Sequence, residues 1–438
     1  MKNVAIVYMA HDGFTSLYTG VGSVARDFLF SFPDVSKMLK KKFKGYAFDL
    51  YATTIKYNEK CFGFSKDVKK VTENIVARND NIHLRELVNG SYGDESYATI
   101  DYWKAASISG ATFVYTLSLQ YNEIIVISVD TPFAQVANYF FKQYNCKNVK
   151  IVWLPQSTVL IHRRKTQSLT KEEEERYQWE KETVILAAKN RQVFIGCVGS
   201  FMKKHLIYDY SAKPSRMIDL NNGLDLKRLE NNKVSQKTVE NLLKKLNVPT
   251  DRPILFSFGR SEKYKGLDLV VANSLELIDK YRYYILIFCS PYPDKDGVDT
   301  LRKLKFLEAK RKKDIKVYLT HDFSLPHYIM QWQRTNILAI LSRAEPSGLI
   351  PIESRYYNNP SLTLLVSNVG GFPDQVENNR DGFITKLDSN SIKKSLNNIN
   401  MLSRQRKRKI SSNGYNKVTK TYDQASINTR FINNLLNN

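Results

Sequence analysis

Residues 337–353 read ILAILSRAEPSGLIPIE and predict a strand, a turn and a helix in direct succession. The apolar first part is typical of a buried parallel strand, Pro346 and Gly348 form a turn, and the last residues begin a helix. Ligands of open α/β sheets bind beyond the carboxyl ends of the strands, so Glu345 is expected at a binding edge. The free N–H groups of the helix start would face an anion, and Glu345 and Glu353 could hold hydroxyls on two parts of one ligand. A capped helix start with a solvated glutamate is the alternative interpretation.

Short apolar runs rich in β-forming residues recur along the chain, separated mostly by stretches long enough for helices. This alternation predicts parallel sheets with helical crossovers, which is a doubly wound α/β architecture. The pattern breaks near Asn222, and a proline-flanked loop at 249–253 precedes a fresh strand, so a domain boundary is expected near Asn222. The runs are Val4 to Tyr8, Ile124 to Val129, Val149 to Leu154, Val193 to Val198, Ile254 to Phe258, Tyr284 to Cys289, Ile315 to Leu319, Ile337 to Leu341 and Leu362 to Val366.

The size and composition of the chain fit two soluble globular domains. Its 438 residues are 42% hydrophobic and 25% charged, and each half can bury a core of its own. No apolar run approaches the roughly 18 to 20 residues of a membrane-spanning helix, and the N-terminus reads as a first buried strand. The cysteines have no CxxC spacing, so neither a zinc site nor a disulfide framework is indicated and a reducing cytoplasm is expected. They are Cys61, Cys146, Cys197 and Cys289.

The net charge of +23 implies an anionic partner. Nucleotide phosphates, a phospholipid surface and nucleic acid are the candidates. Basic residues concentrate at 37–44, 302–313 and 404–409, and each run could also be a solvated helix face. The first run follows Phe28 to Phe32, so it could seat the protein on an anionic bilayer, or the phenylalanines could simply fill the core.

A second segment, residues 254–268, reads ILFSFGRSEKYKGLD and predicts a strand, a turn and a helix. Gly259 allows a tight exit from the strand. Arg260 and Lys265 can then direct two cations into one crevice, which suits a diphosphate leaving group. A basic loop between a strand and a helix is also common without any function.

Together the two segments resemble the E-x7-E and G-R-x(3–4)-K-G elements of retaining glycosyltransferases with the GT-B fold, of the family-four type. The sequence SRAEPSGL at 342–349 is similar to the corresponding sequence of the glycogen and starch synthase branch. The resemblance implies α/β architecture with two Rossmann-like doubly wound domains facing a central cleft. Residues 1–221 would bind the acceptor, residues 222–415 would bind the nucleotide sugar, and residues 416–438 would form a helix crossing back to the first domain.

The resemblance also assigns roles to individual donor-site residues. Glu345 would contact hydroxyls of the donor sugar and Glu353 would bind the ribose. Arg260 and Lys265, close to Gly259, would neutralise the diphosphate. Backbone amides after the turn would hold the same diphosphate, and they belong to Ser347, Gly348, Leu349 and Ile350.

Weaker matches to the family's motifs occur in the same order along this chain as in the family. The motif NGLD at 222–225 is similar to the family's element at the domain junction, and VGGFPD at 369–374 resembles its G-G-x-x-[DE] loop. TGVG at 19–22 resembles the glycine loop after the first strand, which assigns Gly22 to the donor and Gly20 to the acceptor.

Two departures from the family pattern are informative. Thr19 stands where glycogen synthases have a lysine, which favours a relative outside that polymer-synthase branch. Asp130 stands where the second histidine of an H-x-H-[DE] motif is expected. Asp130 or His11 could replace the contact of that histidine with the donor sugar, with His11 also a candidate for the acceptor, and both residues could equally be structural.

The expected function is the transfer of a hexose from a UDP- or GDP-sugar to a hydroxyl of a saccharide, a glycolipid or a cell-surface polysaccharide precursor. Retention follows from the resemblance alone. Arg260, Lys265 and helix amides can stabilise the diphosphate without a metal, so no cofactor is expected. Asp294 and Asp296 mimic a D-x-D metal motif but lie in a proline-rich loop. The alternatives are a glycosyltransferase or binding protein acting on nucleic acid, for which no binding motif is present, and an inactive scaffold. A cytoplasmic location, with or without peripheral attachment to the inner face of the membrane, fits the expected function.

Overall fold

The computed structural model describes residues 1–17, 19–57, 64–88, 99–161, 168–292, 294–322 and 324–437. The chain forms two compact units, the first from Met1–Asp225 and Asp423–Asn438 and the second from Leu226–Tyr422. The boundaries expected from the sequence lie after residues 221 and 415. Each is a few residues before the point at which the chain passes from one unit to the other. Cys61 lies outside the described residues.

Strands and helices alternate through both units. The strands are β1 (Lys2–Met9), β2 (Tyr46–Ile55), β3 (Ile82–Leu87), β4 (Glu123–Val129), β5 (Val149–Leu154), β6 (Val193–Cys197), β7 (Met217–Asp219), β8 (Ile254–Arg260), β9 (Tyr284–Ser290), β10 (Ile315–Leu319), β11 (Thr335–Ile340), β12 (Thr363–Ser367) and β13 (Phe383–Thr385). The helices are α1 (Gly20–Lys42), α2 (Lys66–Ala77), α3 (Ile100–Ser118), α4 (Val136–Gln143), α5 (Lys171–Lys189), α6 (Ser200–Tyr210), α7 (Leu226–Asn231), α8 (Gln236–Lys245), α9 (Leu267–Asn273), α10 (Leu275–Tyr281), α11 (Lys295–Lys310), α12 (Leu325–Gln331), α13 (Ile350–Tyr356), α14 (Phe372–Gln375), α15 (Ser389–Asn400), α16 (Arg404–Thr421) and α17 (Gln424–Asn437).

The first unit contains a parallel sheet with the strand order β3-β2-β1-β4-β5-β6-β7. The last residue of β1, Met9, aligns with Thr53 of β2 on one side and Ser128 of β4 on the other. The strand order therefore reverses between β1 and β4, and the loops that follow these two strands leave the same edge of the sheet. Such a switch point is where open α/β sheets bind ligands.

The second unit repeats this plan with the order β10-β9-β8-β11-β12-β13, again parallel. Its central strands are buried on both faces, as their apolar runs predicted, because helices cover both sides of a parallel sheet. Here the order reverses between β8 and β11. The two motifs that decided the sequence interpretation, at 254–268 and 337–353, therefore meet at one switch point.

The C-terminal segment does not form the single helix expected over 416–438. α16 ends at Thr421, and α17 begins at Gln424 after Asp423 accepts a hydrogen bond from the backbone of Ser426 at 2.9 Å. α17 packs against α1 in the first unit, where Asn428 Nδ2 donates to Ser31 Oγ at 3.1 Å. The side-chain cap at Asp423 explains why a new helix starts there.

Candidate active site

The turn after β11 holds Glu345 in a nearly buried position, with 8% of the residue exposed. Its carbonyl accepts a hydrogen bond from Gly371 N at 2.9 Å. Gly370 has a positive φ of 53°, and a Cβ at this position would lie 1.7 Å from the same carbonyl oxygen. The two glycines of the 369–374 motif therefore allow a second loop to pack directly against the backbone of Glu345.

The turn after β8 brings Lys265 to the carboxylate of Glu345. Gly266 has a φ of +68°, and a Cβ there would lie 1.9 Å from the carbonyl oxygen of Leu341, so only glycine permits this approach. Lys265 Nζ then lies 2.8 Å from Glu345 Oε2. Gly259 makes only an ordinary contact, because a Cβ there would lie 3.7 Å from that of Lys265. The fold thus joins residues that two separate motifs had indicated.

Arg260, the last residue of β8, belongs to the same cluster. Its Nε lies 2.9 Å from Glu262 Oε2, and its Nη2 donates to the hydroxyl of Tyr264. Burial acts against the charges of Arg260 and Lys265, but the electrostatic attraction of Tyr264, Glu262 and Glu345 outweighs it and raises the pKa of both basic groups. Both residues therefore remain cations at neutral pH.

The backbone after Glu345 is held by a side chain from α14. Gln375 Nε2 donates to the carbonyls of Ser347 and Gly348 at 2.6 and 2.8 Å, and Gly348 takes a left-handed φ of +70°. Leu349 then leads into α13, which begins at Ile350. The predicted contact of the amides of residues 347–350 with a diphosphate stays a prediction.

Glu353 lies in α13 within a separate buried cluster. Burial raises the pKa of its carboxyl, and the positive charge of Arg228 acts in the opposite direction. His327 Nε2 is 4.0 Å from Glu353 Oε1, and its Nδ1 is 2.8 Å from the hydroxyl of Tyr357. Burial, with the nearby Arg228, lowers the pKa of His327 to about 3, so this imidazole is neutral. Among the described residues, no ion pair or hydrogen bond joins Glu353 to Glu345.

The switch point of the first unit carries His11 and Asp130, which follow β1 and β4. Asp130 has a left-handed φ of 58°, and its Oδ1 accepts from the backbone N–H of Gln156 at 2.8 Å and of Ser157 at 3.2 Å. Burial raises the pKa of Asp130, whereas His11 lowers it. His11 is buried, and its carbonyl accepts from the hydroxyl of Tyr57 at 2.6 Å. The structure places the two candidates near each other and ties one oxygen of Asp130 to the loop after β5.

Asp12 organises the glycine loop, a role that the sequence analysis missed. Its Oδ2 accepts from Thr19 N at 2.9 Å and from Thr19 Oγ1 at 2.7 Å, and Thr19 caps α1. A Cβ at Gly22 would lie 2.4 Å from the same oxygen, whereas Gly20 is exposed with no described atom within 4 Å of such a Cβ. An aspartate seven residues before a helix-capping threonine was the available signal.

A second group that the sequence did not reveal surrounds the fully buried Glu180. Its carboxylate accepts from Arg176 Nε at 2.8 Å, from the Tyr210 hydroxyl at 2.5 Å and from Thr131 Oγ1 at 3.3 Å. A buried carboxylate needs such partners to offset its desolvation. The group fixes the residue that follows Asp130.

In the described part of the chain, the D-x-D segment caps a helix and the first basic run is an exposed helix end. Asp294 accepts from Gly297 N at 2.6 Å and so caps α11, and the ranges that the structure describes hold no group of three or more possible metal ligands. Phe28 and Phe32 lie on the buried face of α1, while the lysines at 40–42, at the end of the same helix, are exposed. None of the described helices is long and apolar enough to cross a bilayer.

Comparison with known families confirms the resemblance seen in the sequence. The family described as "Glycosyl transferases group 1" matches residues 238–417, which lie within the second unit. Granule-bound starch synthase 1 of Triticum aestivum is 27% identical over 146 residues, 33% of this chain and 22% of that protein. The Zea mays enzyme is also 27% identical over 146 residues, 33% of this chain and 23% of that protein. The match thus spans less than a quarter of the length of either relative.

Solved structures match over the whole chain and establish the GT-B fold. Sucrose-phosphate synthase from Thermosynechococcus elongatus aligns with a TM-score of 0.72 and 15% identity, covering 100% of this chain and 98% of that chain. Anabaena HepE in complex with UDP and glucose aligns with a TM-score of 0.66 and 15% identity over 98% of both chains. The E. coli structure described as trehalose-6-phosphate bound with UDP-2-fluoro glucose gives 0.69 and 11% identity over 98% of both chains. The predicted pair of Rossmann-like domains is confirmed.

Proposed function

We propose that this chain is a retaining glycosyltransferase that moves a hexose from a UDP- or GDP-sugar to a hydroxyl acceptor. The observation that carries the proposal is the ion pair of Lys265 with Glu345, 2.8 Å apart at the switch point of the second sheet. A cation suits a diphosphate and a carboxylate suits sugar hydroxyls, so the pair could hold the two halves of a nucleotide sugar side by side. The complexes of HepE with UDP-glucose and of the E. coli protein with UDP-2-fluoro glucose support a UDP-sugar as donor.

Each residue of the edge then has a distinct task. Arg260 and Lys265 stabilise the charge that grows on the diphosphate as it leaves, with the amides of residues 347–350 as further donors. Glu345 orients the hexose through its hydroxyls, and Glu353 binds the ribose. The step breaks the bond from C1 of the hexose to the phosphate oxygen and forms a bond from C1 to the acceptor oxygen on the same face. The acceptor proton passes to the departing phosphate, so the products are the glycoside and the nucleoside diphosphate.

The acceptor belongs to the first unit in this proposal. His11, Gly20 and Asp130 are its candidate ligands, and a saccharide, a glycolipid or a polysaccharide precursor is the acceptor class. We place the reaction in the cytoplasm, with attachment to the inner face of the membrane if the acceptor is lipid-linked.

No metal takes part in the proposed reaction, because two cations already face the diphosphate. The test is to incubate the protein with a panel of UDP- and GDP-sugars and to measure release of nucleoside diphosphate, with and without EDTA. Release from one donor that persists in EDTA is expected. A protein that releases nucleotide from no member of the panel would contradict the function, and activity restored only by Mg²⁺ or Mn²⁺ would contradict the metal-free step.

A further inference from the structure

Two tyrosine rings flank the guanidinium of Arg260. Its central carbon lies 5.0 Å from the centre of the Tyr292 ring and 6.0 Å from that of the Tyr264 ring. Nη2 also donates a hydrogen bond to the Tyr264 hydroxyl. A planar guanidinium gains both cation–π and stacking energy from such rings, whereas an ammonium acts as a point charge. The rings therefore favour one orientation of Arg260 as well as one position.

Tyr264 contacts both cations of the site. Lys265 Nζ lies 5.0 Å from the centre of the Tyr264 ring. The carbonyl of Tyr264 accepts from Arg343 N at 2.6 Å, which ties this residue to the turn after β11. The Arg343 guanidinium in turn binds the Asp268 carboxylate through two contacts of 2.8 Å. One anchored side chain thus sets the spacing between Arg260 and Lys265.

Tyr292 comes from the loop after β9 and is anchored independently. Its N–H donates to the buried Ser261 Oγ at 2.9 Å. A Cβ at Gly297 would lie 2.4 Å from the carbonyl oxygen of Tyr292, so the start of α11 packs closely on this backbone. The backbone that carries the ring is therefore held near the end of β8 by contacts that do not involve Arg260.

We propose that Tyr264 and Tyr292 are positioning residues that orient the guanidinium of Arg260 toward the diphosphate of the donor. The inference rests on the proposed function, because it takes Arg260 as a ligand of that diphosphate. Neither ring has to touch the donor. Each acts through Arg260, whose free rotation would otherwise have to be lost when the donor binds.

A matched control lies at the opposite end of the same two strands. Arg252, just before β8, has its guanidinium carbon 5.6 Å from the centre of the ring of Tyr284, the first residue of β9. Arg252 also donates to the carbonyls of Arg282 and Tyr283 at 2.8 and 2.6 Å. This arginine–tyrosine pair lies at the amino edge of the sheet, so its loss should affect stability alone.

Calorimetric titration with UDP and with GDP tests the inference. Tyr292→Leu and Tyr264→Leu should each weaken binding of the preferred nucleotide about tenfold, as expected for loss of a desolvated cation–π contact. Tyr292→Phe keeps the ring and should bind as wild type, whereas Tyr264→Phe loses the hydroxyl and should give an intermediate loss. Tyr284→Leu should lower the melting temperature without changing the affinity, and Tyr284→Phe serves if that variant does not fold.

An Arg260→Lys background separates positioning from a general structural effect. Lysine keeps the charge but lacks the planar group, so either ring deletion should then change affinity less than about twofold. Full additivity of the losses would overturn the inference. Leucine variants that bind as wild type while Arg260→Lys binds weakly would overturn it too, yet leave the proposed function standing. A wild-type protein that binds neither UDP nor GDP would overturn both.

Discussion

The switch points of the two sheets share one topology but differ in what neutralises their charged side chains. In the second unit, Arg260 and Lys265 retain 25% and 20% side-chain exposure, and their counter-ions are side chains. In the first unit, the loops after β1 and β4 carry Asp12 and Asp130, whose carboxylates accept hydrogen bonds from backbone N–H groups. An anion can therefore reach the cations of the second unit. The carboxylates of the first unit are already hydrogen-bonded to the loops that they fix.

This difference indicates which unit recognises the charged part of the substrate. An ion pair with another side chain can be exchanged for a diphosphate at little cost in structure, because both partners lie on turns fixed by glycines. A carboxylate that caps a loop cannot leave its backbone partners without leaving buried N–H groups unsatisfied. We therefore expect loss of Lys265 or Arg260 to alter nucleotide binding and loss of the loop-capping Asp12 to alter stability.

The largest effect is expected for Lys265→Ala. Loss of one preorganised cation at a departing diphosphate should lower kcat/KM for the nucleotide sugar about 100- to 1000-fold. Lys263→Ala is the matched control, since this lysine lies in the same turn with an exposed side chain. Steady-state kinetics of nucleotide release check the prediction, and equal losses in the two variants would contradict the assignment of Lys265.

Next in size is Gly370→Ala, which separates backbone strain from displacement of Glu345. A Cβ at Gly370 would collide with the Glu345 carbonyl, whereas Gly45, at φ +82°, has no described atom within 4 Å of such a Cβ. Gly45→Ala should cost about 1 kcal/mol in the free energy of unfolding, and Gly370→Ala about 3 kcal/mol together with most of the activity. Chemical denaturation and donor turnover measure both. Similar costs for the two variants would show that the close approach is not needed.

Asp12→Ala tests the first unit. Removing the acceptor of Thr19 should lower the free energy of unfolding by about 2 kcal/mol, while UDP or GDP affinity stays at the wild-type value. Denaturant titration and calorimetry give the two numbers. A fall in nucleotide affinity without a fall in stability would reverse the contrast between the units.

Glu353→Gln should show a smaller, pH-dependent effect. Because burial raises the pKa of Glu353, its ionised form destabilises the fold above the unfolded-state pKa, and the protonated form does not. Glutamine should therefore raise the melting temperature near neutral pH, and this gain should vanish as the pH falls below roughly 4. Nucleotide affinity should drop about tenfold through loss of a charged acceptor. A melting temperature that rises equally at both pH values would exclude the carboxylate as the cause.

Much of the fold was predictable because parallel strands are continuous apolar runs, and every strand so predicted is present. The strands β2 and β3 were missed because their residues do not form an unbroken apolar run. β2 reads YAFDLYATTI, with buried Phe48, Leu50 and Ala52 alternating with partly exposed neighbours. The edge strand β3 buries only its two end residues. Period-two alternation identifies a strand such as β2, and a search for unbroken apolar runs finds neither β2 nor β3.

The candidate site was predictable only where its residues share a motif. Lys265 and Glu345 were each indicated by a local pattern, and the sheet order brings the patterns together. Tyr292 lies in a loop and His327 in a helix, and neither segment has a distinctive sequence motif. The contacts of Tyr292 with Arg260 and of His327 with Glu353 therefore depend on the packing of distant segments. Asp12 was overlooked because its partners lie in the turn that precedes α1.

The smallest effect is expected at the basic end of α1. The lysines there test whether exposed charges bind an anionic surface, in contrast to the charged groups that are paired within the two switch points. The lysines at 40–42 are exposed, but Phe28 and Phe32 are buried, so these two rings are not available to insert into an anionic bilayer and we expect charge to dominate any attraction. Lys41→Gln should then weaken vesicle binding by about fivefold at low salt, since a cation near such a surface contributes about 1 kcal/mol. The effect should shrink as the salt concentration rises and disappear at about 1 M, because the Debye length then falls to about 3 Å. Lys189→Gln, the same change at the end of α5, is the control. Sedimentation with vesicles of phosphatidylserine and phosphatidylcholine measures both variants, and binding that survives high salt would show that apolar groups take part after all.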